Sequence, residues 1–194
     1  YKASVSQKMT SIAVIGPGAI GGTVAAWLAQ NLSFDLTLCA RTPLQRLKIE
    51  TPSGPIEAAP RIITNATDAK PVDWVLVATK AYDVEGAARW FKGLLGENTR
   101  IAVLQNGVDH IERFAPFVDP ARIVPVIVDI PAERRGPGDI LQRRLGTLIA
   151  PATANGEAFA RLFARTQITA SAVADFKTAA WRKLCLNCGG VVFA

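Results

Sequence analysis

The sequence predicts an α/β fold with a doubly wound, mostly parallel sheet. Short apolar runs rich in β-branched residues alternate with segments in which apolar residues recur at helical spacing. Apolar runs without polar alternation are typical of parallel strands that helices cover on both faces. The length, 194 residues, is enough for one such domain and the beginning of another.

The elements follow from these runs in chain order. A strand at residues 11–15 precedes a glycine turn, an amphipathic helix from Ala19 and a strand at 34–40, which together form a βαβ unit. Further strands are predicted at residues 72–79, 100–104 and 122–130, with short ones around 140 and 147–150. Helices are predicted at 83–95, 157–165 and from Phe176, turns between short strands at 51–60, and a loop at 133–138.

The turn between the first strand and helix has the pattern G-x-G-x-x-G. It consists of Gly16, Pro17, Gly18, Ala19, Ile20 and Gly21. In this context the first glycine permits a tight turn, the second lets the backbone approach a pyrophosphate, and the third lets helix and strand pack closely. The pattern favours a Rossmann-type dinucleotide-binding domain, and a purely structural glycine turn is the alternative.

The end of the second predicted strand bears on the choice of dinucleotide. Domains that bind NAD usually carry Asp or Glu there, whereas this chain has Arg41, 25 residues after Gly16. A guanidinium can bind a 2′-phosphate in a bidentate manner, which favours NADP(H). A solvated surface arginine is the alternative.

Two other strand ends carry candidate ligand-binding side chains, because ligands bind at the carboxyl ends of strands in such sheets. Lys80 follows the predicted strand at 72–79 and is expected at the cofactor edge, unless it is an exposed lysine that begins the next helix. Asn106 follows the predicted strand at 100–104 and is expected near the nicotinamide, unless Asn106-Gly107 is only a turn. The single histidine, His110, is a weaker acid/base candidate.

The last predicted helix presents an amine and an amide one turn apart. Lys183 and Asn187 share a face and could together grip a carbonyl and a neighbouring polar group. The opposite face is predicted to be the packed one, and it carries Trp181, Cys185, Cys188 and Val192. The Cys185-x-x-Cys188 pair is therefore interpreted as two buried residues rather than a redox pair or half of a zinc site.

Composition excludes several classes of protein. The formal net charge is +6, but the basic residues are scattered and not interleaved with aromatic residues, which argues against nucleic-acid binding. No apolar run approaches the roughly 20 residues that span a bilayer. Residues 1–10 are interpreted as an N-terminal extension without the apolar core of a signal peptide. Three sparse cysteines are typical of a reducing compartment, here the cytoplasm.

Taken in order, the segments IAVIGPGAIGG, VLVATKAYDV, LQNGVDHIE and WRKLCLNC resemble the ketopantoate reductase (2-dehydropantoate 2-reductase) family. The resemblance implies that the glycine turn wraps the pyrophosphate of NADP(H) and that Arg41 contacts the 2′-phosphate. It further implies that Lys80 lines the cofactor site, Asn106 lies near the nicotinamide, Lys183 is the catalytic lysine and Asn187 holds the substrate. The implied reaction is reduction of a 2-oxo acid, ketopantoate in pantothenate biosynthesis, to a 2-hydroxy acid.

The chain departs from the family pattern in two respects. Val191 stands where the family has a second substrate-binding asparagine. A 2-oxo acid other than ketopantoate therefore stays open as the substrate. The sequence ends at Ala194, where the family continues into a helical domain that supplies further site residues and a homodimer contact. We therefore expect a Rossmann domain at 11–175, an interdomain helix at 176–194, and a fragment or a protein without full activity.

Two other functions fit part of the pattern. β-Hydroxyacid and 6-phosphogluconate dehydrogenases also combine a glycine turn with a lysine on the helix between domains, although the W-R-K-L-x-x-N segment argues against them. A non-catalytic NADP(H)-binding regulatory module would fit Val191 and the missing second domain. Metal binding is not expected.

Overall fold

The computed structural model describes the backbone of residues 9–192 and the side chains of residues 9–188. Residues 1–8 of the predicted N-terminal extension lie outside the described part of the chain. The side chain of Val191 also lies outside it. The strands are β1 (Thr10–Ile15), β2 (Phe34–Cys39), β3 (Leu47–Thr51), β4 (Gly54–Ala58), β5 (Arg61–Ile63), β6 (Val72–Val77), β7 (Leu95–Val103), β8 (Ile123–Pro125), β9 (Ile127–Asp129), β10 (Ala132–Gly136), β11 (Asp139–Gln142), β12 (Thr147–Pro151) and β13 (Thr169–Val173). The helices are α1 (Ala19–Ala29), α2 (Val84–Ala88), α3 (Phe91–Leu94), α4 (His110–Phe114), α5 (Ala154–Leu162) and α6 (Phe176–Val192).

A six-stranded sheet forms the centre of the fold. Its order is β5-β2-β1-β6-β7-β8, and every neighbouring pair is parallel. Alternate residues of β1 enter different cores: Ile12 and Val14 pack with α1 and α5, whereas Ala13 and Ile15 pack with the layer of α2, α3 and α4. Burial on both faces explains why these strands lack polar alternation. The predicted doubly wound α/β fold is confirmed.

Helix α1 lies between the central sheet and a second sheet of order β10-β11-β3-β4. Every residue from Gly21 to Leu28 is buried, so the prediction of an amphipathic helix with one apolar face is wrong. The second sheet covers the face that would otherwise meet solvent. Its buried Gln142 accepts a hydrogen bond from the Trp27 indole N–H at 2.9 Å, which ties α1 to β11.

The predicted strand at 122–130 is two strands that belong to different sheets. β8 pairs with β7 in the central sheet, and β9 pairs with β12 in a three-stranded sheet of order β13-β12-β9. Pro125 ends β8, and proline cannot donate a ladder hydrogen bond, which favours the change of sheet at this point. The apolar run continues from buried β8 into β9, where Ile127 is buried and Val128 half-buried, so the sequence pattern does not reveal the break.

Other predicted elements need correction. The loop at 133–138 is largely β10, an exposed charged strand that pairs with β11 and shows no apolar alternation. The helix at 83–95 is two short helices, α2 and α3, and β7 already begins at Leu95. β3, β5 and β13 were not predicted, since each has only three to five residues.

Helix α6 contacts β9 and β12 through the face opposite to the predicted one. Ala180 is buried, and Lys183 and Leu184 on the same side are half-buried. Trp181 is 50% exposed, and Cys185 and Cys188 are exposed, so the prediction that these residues pack is wrong. A small alanine lets α6 approach the strands closely, which a helical wheel that ranks residues by apolar size does not anticipate.

These positions predict different reactivity for the three cysteines. Burial raises the pKa of the Cys39 thiol to about 12, so this thiol stays protonated at neutral pH, whereas Cys185 and Cys188 are exposed. In the native protein iodoacetamide should alkylate Cys185 and Cys188, and Cys39 only after denaturation, as measured by peptide mass spectrometry. Equal alkylation rates for all three thiols would show that the burial is wrong.

Candidate active site

The parallel central sheet brings four of the predicted site positions to one edge. Gly16 directly follows β1, Arg41 follows the end of β2, and Lys80 and Asn106 lie in the loops after β6 and β7. All four strands run in the same direction, so their carboxyl ends share that edge. β6 ends at Val77, so Lys80 lies in the loop beyond it rather than at the strand end, and its side chain is exposed.

The glycine turn is built from backbone contacts. Gly16 has φ +85°, in the left-handed region that favours glycine, and its N–H donates to the Cys39 carbonyl at 3.1 Å. A Cβ on Gly16 would also lie 3.0 Å from Thr79 Cγ2. The turn therefore holds β1, β2 and the loop after β6 together at the sheet edge.

The other two glycines have different surroundings. A Cβ on Gly21 would lie 2.2 Å from the carbonyl oxygen of Gly16, so the start of α1 sits directly against the turn. A Cβ on Gly18 would meet nothing within 4 Å, so the backbone at Gly18 faces open space. Ala19 and Ile20 form the first turn of α1 and are half-buried.

The amino end of α1 is arranged to receive an anion. Gly18 occupies the cap position without a side-chain hydrogen bond, and none of the described residues in the first turn of α1 is acidic. The first N–H groups of the helix and the positive end of its dipole are thus not satisfied by the chain itself. Such an end is a binding site for phosphate groups.

A cleft runs from the glycine turn across the ends of β2 and β6. Arg41, Lys80 and Arg134 line it, so three cationic side chains face the same space. Arg41 is 88% exposed, and its Nη1 lies 3.5 Å from Asp83 Oδ2, an exposed pair of the kind that contributes little stability. Sequence reasoning missed Arg134, because it placed this residue in a loop rather than on β10, which reaches the cleft.

A second, smaller cavity brings together Asn106, Lys183 and Asn187. The apolar stretch at 126–128, where the chain passes from β8 into β9, forms one wall of it, and the rest of the lining is Gln105, Gly107, Ala180 and Leu184. An amine and two amides thus converge from α6 and from the loop after β7. The predicted pairing of Lys183 with Asn187 on one face of a helix agrees with this arrangement.

Lys183 also has an acidic partner that the sequence analysis did not identify. Its Nζ donates to Asp129 Oδ1 at 2.8 Å, and Arg144 Nη2 lies 3.5 Å from Asp129 Oδ2. The hydrogen bond from Lys183 holds the pKa of the Asp129 carboxyl below its ordinary value. Asp129 ends β9, so the unrecognised break in the strand concealed it.

Buried Gln105 connects the cleft with the second cavity. Its Nε2 donates to Thr79 Oγ1 at 3.0 Å and to the Lys80 carbonyl at 3.3 Å, while Arg113 Nη1 donates to its Oε1 at 2.7 Å. Gln105 precedes Asn106, so these bonds fix the loops that carry Lys80 and Asn106 relative to each other. A glutamine before an Asn-Gly turn gave no separate signal in the sequence.

His110 is part of this support and lies outside both cavities. It is 1% exposed, and its Nε2 lies 2.7 Å from the Gln105 carbonyl, which can only accept, so Nε2 carries the proton. Burial lowers the pKa of the imidazole, which is therefore neutral at physiological pH. His110 supports the turn of Gln105, and the structure gives no support to its weaker candidacy as an acid/base.

In residues 9–188 no group of three or more His, Cys, Asp or Glu side chains is placed to hold a metal ion. No helix in the described part of the chain is long and apolar enough to span a membrane.

Comparison with known proteins adds to this geometry. Residues 12–155 match the family model described as ketopantoate reductase PanE/ApbA. The chain is 54% identical to 2-dehydropantoate 2-reductase of Caulobacter vibrioides over 186 residues, which cover 96% of this chain and 64% of that protein. It is 36% identical to the protein of that name in Mycobacterium tuberculosis, over 92% of this chain and 61% of the relative.

A solved structure shows the same fold. Crystalline 2-dehydropantoate 2-reductase of Porphyromonas gingivalis superposes with a TM-score of 0.81 at 26% identity, over 90% of this chain and 68% of that one. The two curated relatives described above are longer, and the chain spans less than two thirds of the length of each.

The glycine geometry predicts that one alanine substitution mainly lowers stability and the other mainly lowers binding. Gly21→Ala should destabilise the fold by about 1–3 kcal/mol, because its Cβ would overlap the Gly16 carbonyl. Gly18→Ala has room for its Cβ and should cost less than about 1 kcal/mol, yet it should weaken dinucleotide binding by filling the approach to the helix end. Urea unfolding and calorimetric titration measure the two effects. Unchanged binding by a folded Gly18→Ala variant would contradict the assignment of the turn.

Proposed function

Since this chain belongs to the ketopantoate reductase PanE/ApbA family, we propose that its protein reduces a 2-oxo acid with NADPH, with 2-dehydropantoate as substrate and pantoate as product. The observation that carries the proposal is the cavity in which Lys183, Asn106 and Asn187 meet. Gln105 joins that cavity to a cleft whose glycine turn and free helix end suit a dinucleotide. Curated relatives that carry the name 2-dehydropantoate 2-reductase support the choice of substrate.

The cofactor half of the proposal depends on the glycine turn and the charges of the cleft. Gly16 to Gly21 and the amino end of α1 would hold the pyrophosphate, for which the open space at Gly18 leaves room. Arg41 would bind the 2′-phosphate, since a guanidinium pairs with phosphate and is free to leave its exposed contact with Asp83. Lys80 would line the same site, and Arg134 adds positive charge beside it.

The substrate half depends on charge that develops during reduction. When bound, the cofactor supplies a hydride to the ketone carbon. Negative charge then accumulates on the carbonyl oxygen, and the Lys183 ammonium would stabilise it and donate the proton that completes the hydroxyl group. Asn106 would lie near the nicotinamide, and Asn187 would hydrogen-bond the substrate. The hydride carries two electrons from NADPH, and Lys183 would supply the proton, so the products are a 2-hydroxy acid and NADP⁺.

Val191 bears on which 2-oxo acid is reduced. Its position lies on α6 one turn after Asn187, where the family pattern has a second asparagine. Loss of one amide donor changes which polar groups of a substrate are matched. A panel of 2-oxo acids and 3-hydroxy acids tests the proposal: oxidation of 3-hydroxy acids without reduction of 2-oxo acids would replace it with a β-hydroxyacid dehydrogenase.

The proposal includes the cellular setting. All three cysteines are free, which agrees with a reducing compartment such as the cytoplasm. A small-molecule substrate is the only partner that the site suggests. Homodimer formation through a helical domain is implied by the family resemblance and stays a prediction.

Lys183→Ala in the complete protein should lower kcat at least about 100-fold, because general acid catalysis is typically worth 10²–10⁴-fold. The dissociation constant for NADPH should change less than about threefold, since Lys183 lies in the second cavity rather than the cofactor cleft. Lys177→Ala is the matched control, because Lys177 is exposed on the outer side of the same helix. Steady-state kinetics with near-normal turnover by Lys183→Ala would reject its role.

Arg41→Ala should reduce affinity for NADPH at least about tenfold and leave affinity for NADH nearly unchanged, because only NADPH carries the phosphate that Arg41 would bind. Fluorescence titration with both cofactors measures the ratio. Arg161→Ala, which removes an exposed arginine of α5 paired with Glu157, is the control. If the ratio of the two affinities does not change, the assignment of NADP(H) through Arg41 is wrong.

A further inference from the structure

We propose that Asp129 is a positioning residue for Lys183, which it holds at the cavity shared with Asn106 and Asn187, and that Arg144 offsets its charge. This inference rests on the proposed function and adds residues that the sequence analysis did not single out. Asp129 does not line the cavity itself, so it acts through Lys183.

The contacts give each oxygen of Asp129 a separate cation. Lys183 Nζ donates to Oδ1 at 2.8 Å, and Arg144 Nη2 lies 3.5 Å from Oδ2. The Lys183 side chain is only 28% exposed, so its ammonium is partly withdrawn from water. An ammonium has three N–H donors, and one bond to Asp129 leaves two for a ligand. The pair can therefore persist while Lys183 contacts a substrate.

Lysine needs such a partner more than most side chains. Its four-carbon stem has many rotamers, and a substrate carbonyl must lie at a defined distance from the ammonium. Asp129 is fixed because it ends β9, which pairs with β12, and α6 packs on both strands through Ala180. The bond from Lys183 to Asp129 thus joins a helix and a strand that already touch.

The backbone at Arg144 is held by two linked hydrogen bonds, whereas its guanidinium reaches Asp129 from a side chain that is 65% exposed. Its carbonyl accepts from Gln142 Nε2 at 3.1 Å, and Gln142 Oε1 accepts from the Trp27 indole at 2.9 Å. Trp27 belongs to α1, whose amino end forms the dinucleotide turn. The backbone of Arg144 is therefore fixed relative to α1, the helix that would hold the cofactor.

The charges make the arrangement suitable for an anionic substrate. The ammonium of Lys183 and the carboxylate of Asp129 alone would cancel, and the guanidinium of Arg144 restores one net positive charge. The Lys183 hydrogen bond lowers the pKa of Asp129, so the carboxylate is present at neutral pH and is lost only when the pH falls through that lowered value. Lys183 and Arg144 are the charged groups that face Asp129 from α6 and from the segment after β11.

The test compares Asp129→Ala and Asp129→Asn in the complete protein. Asp129→Ala should lower kcat for 2-oxo acid reduction by about 10–100-fold, because a misplacement of about 1 Å can cost 10²-fold. Asp129→Asn keeps an acceptor oxygen and should lose less. The KM for NADPH should change less than about twofold in both. Asp35→Asn, which alters an exposed carboxylate on β2, is the matched control and should behave as the wild type.

A second measurement does not depend on turnover. Acetylation of lysines by an N-hydroxysuccinimide ester, followed by mass spectrometry, should modify Lys183 at least about threefold faster in Asp129→Ala than in the wild type. Other lysines should react at unchanged rates. A role limited to fold stability would lower the unfolding midpoint without this local rise.

The outcomes separate the inference from the proposed function. Unchanged labelling of Lys183, or faster labelling with unchanged kcat, overturns the positioning role while an active wild type preserves the reductase. A wild type that reduces no 2-oxo acid removes the proposed function, and the positioning role falls with it. Faster labelling together with a lower kcat and an unchanged KM for NADPH supports the inference.

Discussion

The contact between Gly21 and the Gly16 carbonyl is the constraint on which the site depends. With no side chain at residue 21, α1 begins directly against the turn that ends β1. This fixes the direction of the helix axis and the place where its free N–H groups emerge. The cleft, its three cationic side chains and the route to the second cavity are all arranged around that point.

Burial of α1 on both sides transmits this constraint to the rest of the molecule. The central sheet lies on one side of the helix and the β10-β11-β3-β4 sheet on the other. The second sheet delivers Arg134 to the cleft and, through Gln142, sets the position of Arg144. Parts of the chain that are distant in sequence therefore contribute to the site through one helix.

The sequence predicts what depends on local pattern and leaves out what depends on contacts between distant segments. The glycine turn, Arg41, Lys80 and Asn106 could be placed because each follows a recognisable apolar run at the same edge of a parallel sheet. The packed face of α6 was predicted wrongly, because a helix with Ala180 on one side and Trp181 on the other does not show which side meets the strands. Asp129 gave no signal, and Gln105 none beyond its place in the segment LQNGVDHIE, since their contacts are with partners 54 and 26 residues away.

The change of sheet between β8 and β9 divides the site into two separately supported layers. Residues that line the cleft lie mainly in the loops that follow strands of the central sheet, whereas Asp129 and, through α6, Lys183 stand on the three-stranded sheet. A substitution on β9, β12 or β13 changes no residue that lines the cleft. The linings of the cleft and of the cavity at Lys183 share no residue, so they can vary separately during evolution.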